Sequence, residues 1–200
     1  GGEGAGKSLQ QTRLADALQQ AGYTVVCTRE PGGSPSAEEI RSLLLAHGRS
    51  WQPISEALLH YAARAEHLAE TIKPALAAGS WVLSDRFSDS TRAYQGCGQG
   101  LRRDQLDMLD RMVVGAEKPD LTFVLDVPAE TGLVRAGMRG QGADRYETMD
   151  LDFHRRLRDG YLTLAGAEPD RFAVIDATQP PDAVAAAVAA TVRMRLGADL

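Results

Sequence analysis

The first eight residues, Gly-Gly-Glu-Gly-Ala-Gly-Lys-Ser, constrain the fold more than any other part of this chain. They match the phosphate-binding loop pattern Gly-x-x-x-x-Gly-Lys-Ser, in which glycines let backbone N–H groups approach phosphate oxygens. Such a loop leads into the N-terminus of an α-helix, where the helix dipole favours an anion. The pattern therefore predicts a nucleotide site, with Lys7 on the β- and γ-phosphates and Ser8 as a ligand of Mg²⁺.

The rest of the chain alternates between strand and helix patterns. Four short apolar runs, typical of buried parallel strands, lie at 23–28, 80–85, 121–126 and 171–176. Helical patterns are predicted at 7–21, 36–46, 54–78, 105–114, 130–139, 150–165 and 181–196. Ser36 is expected to begin its helix with a capping box, and Pro74 to kink or divide the longest helix. The alternation predicts one P-loop kinase domain over 1–200 with a three-layer α/β/α fold.

The phosphate loop stands at the beginning of the sequence, although a strand normally precedes such a loop and anchors it. We therefore expect a five-stranded parallel sheet whose first strand lies upstream of Gly1, in a segment of about 7–10 residues. This strand would pair between the strand near Val82 and the strand near Phe123. Without it, the sheet would expose two unpaired edges.

Composition narrows the class of protein. The chain has 200 residues and a net charge of −5, which suits one domain and argues against a general nucleic-acid surface. Cys27 and Cys97 are the two cysteines, too few and too far apart for a metal cluster or a disulfide framework. No apolar run approaches the roughly 20 residues of a membrane span, and no secretory signal is visible. These features predict a cytoplasmic protein with no membrane and no nucleic-acid polymer as partner.

Motifs that the sequence lacks narrow the class of P-loop protein. The chain contains no asparagine, so it lacks the Asn-Lys-x-Asp motif that reads guanine, and no Asp is followed by Gly three positions later. The chain is also short for a motor or transporter ATPase. A small-molecule kinase remains, and that class needs a second phosphate pocket and a mobile cover.

Charged residues follow two of the predicted strands. Arg29 stands at the end of the first run in Thr-Arg-Glu-Pro-Gly-Gly, and Asp85-Arg86 ends the second. Ligands bind at the carboxyl ends of the strands in open α/β sheets. We therefore expect Arg86 to grip a phosphate as a bidentate fork and Asp85 to hold Mg²⁺, through water. A surface ion pair at a strand end is the plainer alternative for each.

A basic, glycine-rich segment is the expected cover. The four variable positions of the phosphate loop carry no cation, so charge for the transferring group must come from elsewhere. The segment around 135–149 holds Arg135, Arg139 and Arg145 among glycines, a composition suited to a closing lid. Arg139 is the first candidate for the catalytic arginine and Arg135 the second, while Arg145 is expected to pair with Glu147 or to hold the lid's base. A solvated surface loop is the alternative.

Several stretches occur together in order: GGEGAGKS, TREPGG, YAAR, DRFSDSTRAYQG, KPDLTFVLD, DRYE and IDATQP. In this combination the chain resembles the bacterial thymidylate kinase family, enzymes that phosphorylate dTMP to dTDP, over nearly its whole length. The resemblance implies a nucleoside-monophosphate kinase fold, ATP as phosphoryl donor, Mg²⁺ as cofactor, and a homodimer.

The resemblance also assigns residues to each nucleotide. Arg64 and Arg86 would contact the monophosphate and base, and Glu3 would lie near the sugar or the acceptor phosphate. The thymidine pocket would be lined by Ser90, Thr91, Tyr94 and Gln95. The segment 176–180 would cradle the adenine. The ATP phosphates would be held by Gly1, Gly2, Glu3, Gly4, Ala5, Gly6, Lys7, Ser8 and Leu9.

Some positions depart from the family pattern. The family carries an aromatic ring that stacks on thymine a turn before Arg64; here the stretch reads His60-Tyr61, so either ring could serve, and Tyr61 is favoured. Leu9 replaces a common threonine. Two alternative functions remain open: another deoxynucleotide or deoxynucleoside kinase, with Glu30 or Asp85 as base, and a nucleotide-binding module that no longer catalyses.

Overall fold

The computed structural model describes residues 1–46, 50–138 and 146–200. Within these residues the strands are β1 (Val25–Arg29), β2 (Trp81–Asp85), β3 (Thr122–Asp126) and β4 (Phe172–Asp176). All four predicted strands form, each within two residues of its expected limits. They are five residues long and rich in valine, leucine, isoleucine and phenylalanine, as buried parallel strands commonly are.

Helices separate the strands along the chain. They are α1 (Lys7–Gln20), α2 (Pro35–Leu45), α3 (Pro53–His67), α4 (Lys73–Ala77), α5 (Ser88–Thr91), α6 (Arg103–Val113), α7 (Ala129–Gly137), α8 (Leu151–Ala167) and α9 (Pro181–Leu196). Two π-helical segments, Leu68–Ile72 and Arg92–Gly98, continue α3 into α4 and follow α5. The long helix predicted at 54–78 is thus divided just before Pro74, whose ring nitrogen has no hydrogen to donate. The segment from Ser88 to Gly98 was not predicted as helical.

One predicted helix start is wrong. Helix α2 begins at Pro35 with Ser34 as its N-cap, and no side chain there accepts a capping hydrogen bond. The expected capping box at Ser36 therefore does not form. Proline suits the first helical position because its φ is already close to the helical value and its missing N–H would be unpaired there.

The strands form two parallel pairs. Strand β1 pairs with β2 so that Arg29 lies opposite Asp85, and β3 pairs with β4 so that Asp126 lies opposite Asp176. The described strands are not joined into one sheet, so the five-stranded sheet expected from the sequence is not observed. The register nevertheless brings the carboxyl ends of each pair together, with charged residues at the last position of every strand.

Apolar side chains pack the helices onto the strands in four clusters. Helix α1 contacts β1, β2 and α9, while α8 contacts β3, β4 and the second π-helical segment. One cluster joins Leu18 to Val192, and another joins Phe153 and Leu157 to Val124. The architecture is an α/β fold in which the strand ends and the phosphate loop are held by helices packed through apolar contacts.

Candidate active site

The phosphate loop takes the curled backbone that its glycines predict. Gly4 and Gly6 have φ angles of 65° and 86°, in the left-handed region that favours glycine. A Cβ at Gly4 would also come within 1.9 Å of the carbonyl oxygen of Gly132, so no larger residue fits there. Helix α1 begins at Lys7 directly after this turn, and the Lys7 ammonium donates a hydrogen bond to the Gly2 carbonyl at 2.8 Å. Such a loop aims a helix N-terminus at its ligand.

The two predicted metal ligands meet at the end of β2. The Ser8 hydroxyl donates to the Asp85 carboxylate, with 3.0 Å between the oxygens, although the residues are 77 positions apart. The other carboxylate oxygen of Asp85 is buried and accepts no hydrogen bond from the residues that the structure describes. A hydroxyl beside a carboxylate with one oxygen still able to accept provides the hard oxygen ligands that Mg²⁺ takes in phosphate sites. The arrangement therefore fits the cation expected from the sequence.

Arg86 follows Asp85 in a strained backbone conformation. Its φ is 75°, and among the described residues it is the one non-glycine with a positive φ. Residues held in this region often belong to functional sites, because the surroundings must impose the conformation. Here the turn directs the guanidinium to Glu3, 2.6 Å away, and over the ring of Tyr94, 4.8 Å from its centroid.

Charge around this arginine perturbs its neighbours. Burial alone would raise the pKa of Glu3, but the charges of Arg86 and Lys7 and a hydrogen bond from Tyr94 outweigh it and lower that pKa to about 2. Burial opposes the charge of Arg86, yet the anionic groups around it hold its pKa well above the ordinary value. Burial also raises the pKa of Tyr94 well above normal. At neutral pH the cluster therefore contains a charged arginine paired with a charged glutamate.

A cavity opens beside these residues and encloses about 680 Å³ of space that is continuous with solvent. The predicted site residues on its wall are Arg29, Arg64, Asp85, Arg86, Ser90, Thr91, Tyr94 and Gln95. His60, one of the two rings expected to stack on thymine, lines the cavity too. The other lining residues were not assigned to this site from the sequence: Glu30, Pro31, Arg41, Leu45, Phe87 and Tyr146. Glu30 directly follows Arg29 and Phe87 directly follows Arg86 in the sequence. Their position next to two predicted site residues could have indicated that they line the cavity.

Arg64 is buried and held by a network of polar side chains. It is 2% exposed, and its Nε donates to Glu30 at 2.8 Å while its Nη2 donates to Thr91 at 3.0 Å. Glu30 also contacts His67 at 3.0 Å, and His67 contacts Thr28 at 2.7 Å. The remaining nitrogen, Nη1, is buried and has no partner among the described residues. An ordinary solvated helix arginine is therefore excluded, because this guanidinium lines the cavity with one donor unused.

Arg29 differs from Arg64 in its surroundings. Its guanidinium bonds Glu38 through 3.0 and 3.2 Å contacts, and its side chain is 56% exposed. The Glu38 carboxylate also accepts from the Gly33 amide, and that bond together with Arg29 lowers its pKa. Arg29 thus lies on the open side of the cavity, where it remains accessible to an anion.

The structure corrects the choice between His60 and Tyr61. Tyr61 is buried in an apolar cluster that includes Leu106 and Leu109, its hydroxyl donates to Asp110 at 3.1 Å, and it does not line the cavity. Successive residues of a helix point in directions about 100° apart, so only one of the two rings can face the cavity. That residue is His60, whose Nε2 lies 3.2 Å from the Tyr146 hydroxyl.

The stretch from Ser88 to Gly98 supplies four of the predicted pocket residues. Ser90 and Thr91 lie on α5, and Tyr94 and Gln95 lie on the π-helical segment that follows. Ser90 accepts a hydrogen bond from Tyr161 at 2.8 Å, a residue of α8 that the sequence did not single out. The wider turn of a π-helix is frequent at functional sites. Here it presents Tyr94 and Gln95 to one cavity.

The lid prediction lies largely outside the described residues, since Arg139 and Arg145 are not among them. Arg135 is described, and its guanidinium donates to the carbonyl oxygen of Ala177 at 2.7 Å. This contact joins α7 to the segment 176–180. Asp176 shapes that segment by accepting from Thr178 and Gln179, and these bonds lower its pKa. Leu9 is half-exposed on the first turn of α1.

Within the described residues, no helix has the length and apolarity needed to cross a membrane, and no cluster of three or more His, Cys, Asp or Glu side chains could hold a metal by itself. The phosphate loop, the Ser8–Asp85 contact and the arginine-lined cavity define a nucleotide-binding protein of the P-loop class, with a second site for an anion beside the loop.

Comparison with known proteins identifies the family within that class. The sequence profile of thymidylate kinase matches residues 1–188. The thymidylate kinase of Caulobacter vibrioides is 54% identical over 198 residues, which cover 98% of this chain and 95% of that protein. That of Trichlorobacter lovleyi is 50% identical, covering 97% and 94%. The crystal structure of thymidylate kinase from Ehrlichia chaffeensis matches with a TM-score of 0.78 and 34% identity, over 96% of this chain and 93% of that one. This chain belongs to the thymidylate kinase family.

Proposed function

We propose that this chain transfers the γ-phosphoryl group of ATP to dTMP and so produces dTDP. The observation that carries the proposal is the junction at the end of β2. Ser8 of the phosphate loop bonds Asp85, and the next residue, Arg86, stands on the wall of the cavity. The donor site therefore meets the acceptor site at Asp85 and Arg86, two consecutive residues. This adjacency suits direct transfer between two bound nucleotides.

The cavity side positions the acceptor. Arg86, Arg29 and Arg64 place three guanidinium groups on one wall, and guanidinium binds phosphate in a planar fork. A phosphate acceptor is already anionic at neutral pH, so the reaction needs positioning and charge neutralisation more than a general base. A nucleoside kinase would need a carboxylate base, but Glu30 is already bonded by Arg64 and His67, and Asp85 bonds Ser8 at the proposed Mg²⁺ site. The acceptor is therefore a nucleotide.

The phosphate-loop side binds the donor. Lys7 and the loop amides contact the ATP phosphates, and Ser8 and Asp85 would hold Mg²⁺, directly and through water. When bound, the cation neutralises phosphate oxygens and orients them for transfer. Among the lid arginines, Arg139 is the first candidate to neutralise the charge that develops on the transferring group, and Arg135 is the second. Arg145 would pair with Glu147 or hold the lid's base.

We propose that the fold has a five-stranded sheet and that the protein forms a homodimer. Gly1 lies against Leu125 of β3 while Ser8 contacts Asp85 of β2, so the phosphate loop spans the interval between the two strand pairs, where a further strand would fit.

Leu58 on α3 and Met108 and Met112 on α6 are 50%, 61% and 71% exposed, on two helices that pack together. Such a patch suits contact with a second copy. We also assign the protein to the cytoplasm.

Steady-state rates with dTMP, dUMP, dCMP and thymidine test the function. A methyl group in an apolar pocket discriminates by about 10–200-fold, so dUMP should be a poor substrate and still be phosphorylated. Equal kcat/KM for dTMP and dCMP would contradict the assignment of the pocket. Faster turnover of thymidine would indicate a nucleoside kinase, and nucleotide binding without turnover would indicate a non-catalytic module.

A further inference from the structure

A buried carboxylate that the proposed reaction does not use lies behind the wall of the cavity, in contact with two residues that line it. Glu56, in the first turn of α3, is 0% exposed. Its carboxylate accepts hydrogen bonds from the side chains of Gln95, Gln99 and Tyr146. Removing a carboxylate from water costs several kcal/mol unless such donors replace the water. The effect of Glu56 is therefore to be found in the orientation of the side chains that donate to it.

The Gln95 side chain is the partner that reaches the cavity. Its amide nitrogen donates to Glu56 at 3.0 Å and to the hydroxyl oxygen of Tyr146 at 3.3 Å. The Tyr146 hydroxyl hydrogen is directed at Glu56, so toward Gln95 its oxygen can only accept. Turning the amide by 180° would place its carbonyl oxygen against a carboxylate and lose both hydrogen bonds. The network therefore determines which end of the amide faces the cavity.

The end that faces the cavity is an acceptor. Gln95 lines the cavity, and its carbonyl oxygen receives no hydrogen bond in the part of the chain that the structure describes. This oxygen is not among the buried polar atoms without a partner, which means that it is reached from the open space of the cavity. A ligand group that meets it must carry an N–H or O–H, because a second lone pair would be repelled and left unpaired.

We propose that Glu56 is a positioning residue, which holds Gln95 as a hydrogen-bond acceptor and so selects a pyrimidine with a hydrogen on ring nitrogen 3. This inference rests on the proposed function, in which the cavity receives a pyrimidine monophosphate. Thymine and uracil carry that N–H, whereas cytosine presents a lone pair at the same position. Discrimination against cytosine is thereby separate from recognition of the 5-methyl group, which distinguishes thymine from uracil.

The test is the variant Glu56→Gln, which keeps the size of the side chain but lets the Gln95 amide adopt either orientation. Dissociation constants of dTMP, dUMP and dCMP are measured by equilibrium competition, so that the result does not depend on turnover. The preference for dTMP over dCMP should fall by about tenfold. The preference for dTMP over dUMP should change by less than about twofold, since both bases carry the N–H that the acceptor reads.

Two further variants complete the design. Gln99→Leu removes another donor to Glu56, 3.3 Å from its second oxygen, without touching the Gln95 amide, and should leave the dTMP-to-dCMP preference unchanged. Tyr146→Phe removes one of the two acceptors of that amide and should lower the preference by a few-fold; it decides the question alone if Glu56→Gln does not fold. If Glu56→Gln and Tyr146→Phe, or whichever of the two folds, keep the wild-type preference for dTMP over dCMP, the inference is overturned. A wild-type protein that binds none of the three nucleotides overturns the proposed function, and the inference with it.

Discussion

On the phosphate-loop side of the site, formed by residues 1–8 and 176–180, local contacts set the curvature of the backbone. Gly4 and Gly6 set the backbone through their own φ angles, and Lys7 bonds a carbonyl five positions away. Asp176 bonds Thr178 and Gln179, two and three positions ahead. This side meets the other through Ser8, which bonds Asp85 across 77 positions, and through Glu3, which bonds Arg86 across 83 positions.

On the cavity side the same kind of polar group is held from far along the chain. Arg64 bonds residues 34 and 27 positions away, and Gln95 bonds one 39 positions away. Tyr94 donates to Glu3, 91 positions distant. These groups are buried, so each is held in place before any ligand arrives. The difference teaches that the curvature of the loop is set mainly by neighbouring residues, whereas the cavity side is preorganised by tertiary ion pairs and hydrogen bonds.

Removing the proposed catalytic arginine should have the largest effect of all. If Arg139 acts on charge that develops only during transfer, Arg139→Ala should lower kcat by about 10³–10⁵. The value of kcat/KM should fall equally, while KM for dTMP stays nearly constant, because no ground-state contact is lost. Steady-state kinetics at saturating ATP measure both. If Arg139→Ala and Arg135→Ala each keep more than about a tenth of wild-type kcat, the lid only covers the site.

The cavity side should lose stability when its buried network is broken. Arg64→Ala leaves Glu30 as an uncompensated buried carboxylate and should lower the free energy of unfolding by about 3–5 kcal/mol. Urea denaturation measures the loss. The double variant Arg64→Met with Glu30→Gln removes both charges and should be less damaging than the sum of its single changes. A loss below about 1 kcal/mol for Arg64→Ala would mean that the network is solvated, contrary to its burial.

The loop side should lose activity without losing stability. Lys7→Ala removes a cation aimed at the donor phosphates and should lower kcat by about 10²–10³. The dissociation constant for dTMP and the free energy of unfolding should hardly change, because the described hydrogen bond of Lys7 is to a carbonyl of the loop itself. Lys73→Ala is the matched control, since Lys73 is an exposed lysine paired with Glu117 at 3.5 Å. A large rise in the dTMP dissociation constant of Lys7→Ala would show that the two sides are not separate.

Acid should weaken the contact between the two sides. The pKa of Glu3 is about 2 in the folded protein and 4.5 in the reference state, a difference of about 2.5 pH units that corresponds to about 3 kcal/mol. Because the folded pKa is the lower one, this stabilisation is complete above about pH 4.5 and is lost as the pH falls toward 2. Unfolding followed between pH 6 and 2 should show a steeper loss for the wild type than for Glu3→Gln. Parallel curves would contradict the assigned pKa.

Arg29 should give the smallest effect on stability. Its ion pair with Glu38 is exposed on both members, and pairs of this kind are worth about 0–1 kcal/mol. Arg29→Ala should therefore unfold almost as the wild type does, while KM for dTMP rises because an accessible guanidinium is lost from the cavity wall. Comparing it with Arg64→Ala separates an arginine that only binds from one that also holds the fold. A stability loss similar to that of Arg64→Ala would remove the distinction.

Local chemistry by itself determined much of this protein. Glycine spacing predicted the curled loop, valine- and leucine-rich runs predicted four strands within two residues, and the order of the motifs predicted the family. The loop and the strands depend on residues close together in the chain, where backbone conformation and burial are encoded by neighbours. The residues at strand ends, Arg29, Asp85 and Arg86, were placed correctly on the cavity because parallel strands deliver their carboxyl ends to one edge.

Only the tertiary structure decided which neighbouring side chains face the cavity and what holds them. It placed Tyr61 in the core and His60 on the wall, because one helix can turn only one of two successive residues toward a given surface. It also assigned Glu30 to Arg64 and Glu56 to Gln95, pairs separated by 34 and 39 positions. Nothing local marks such partners, since a buried carboxylate is stable only where folding brings distant donors to it.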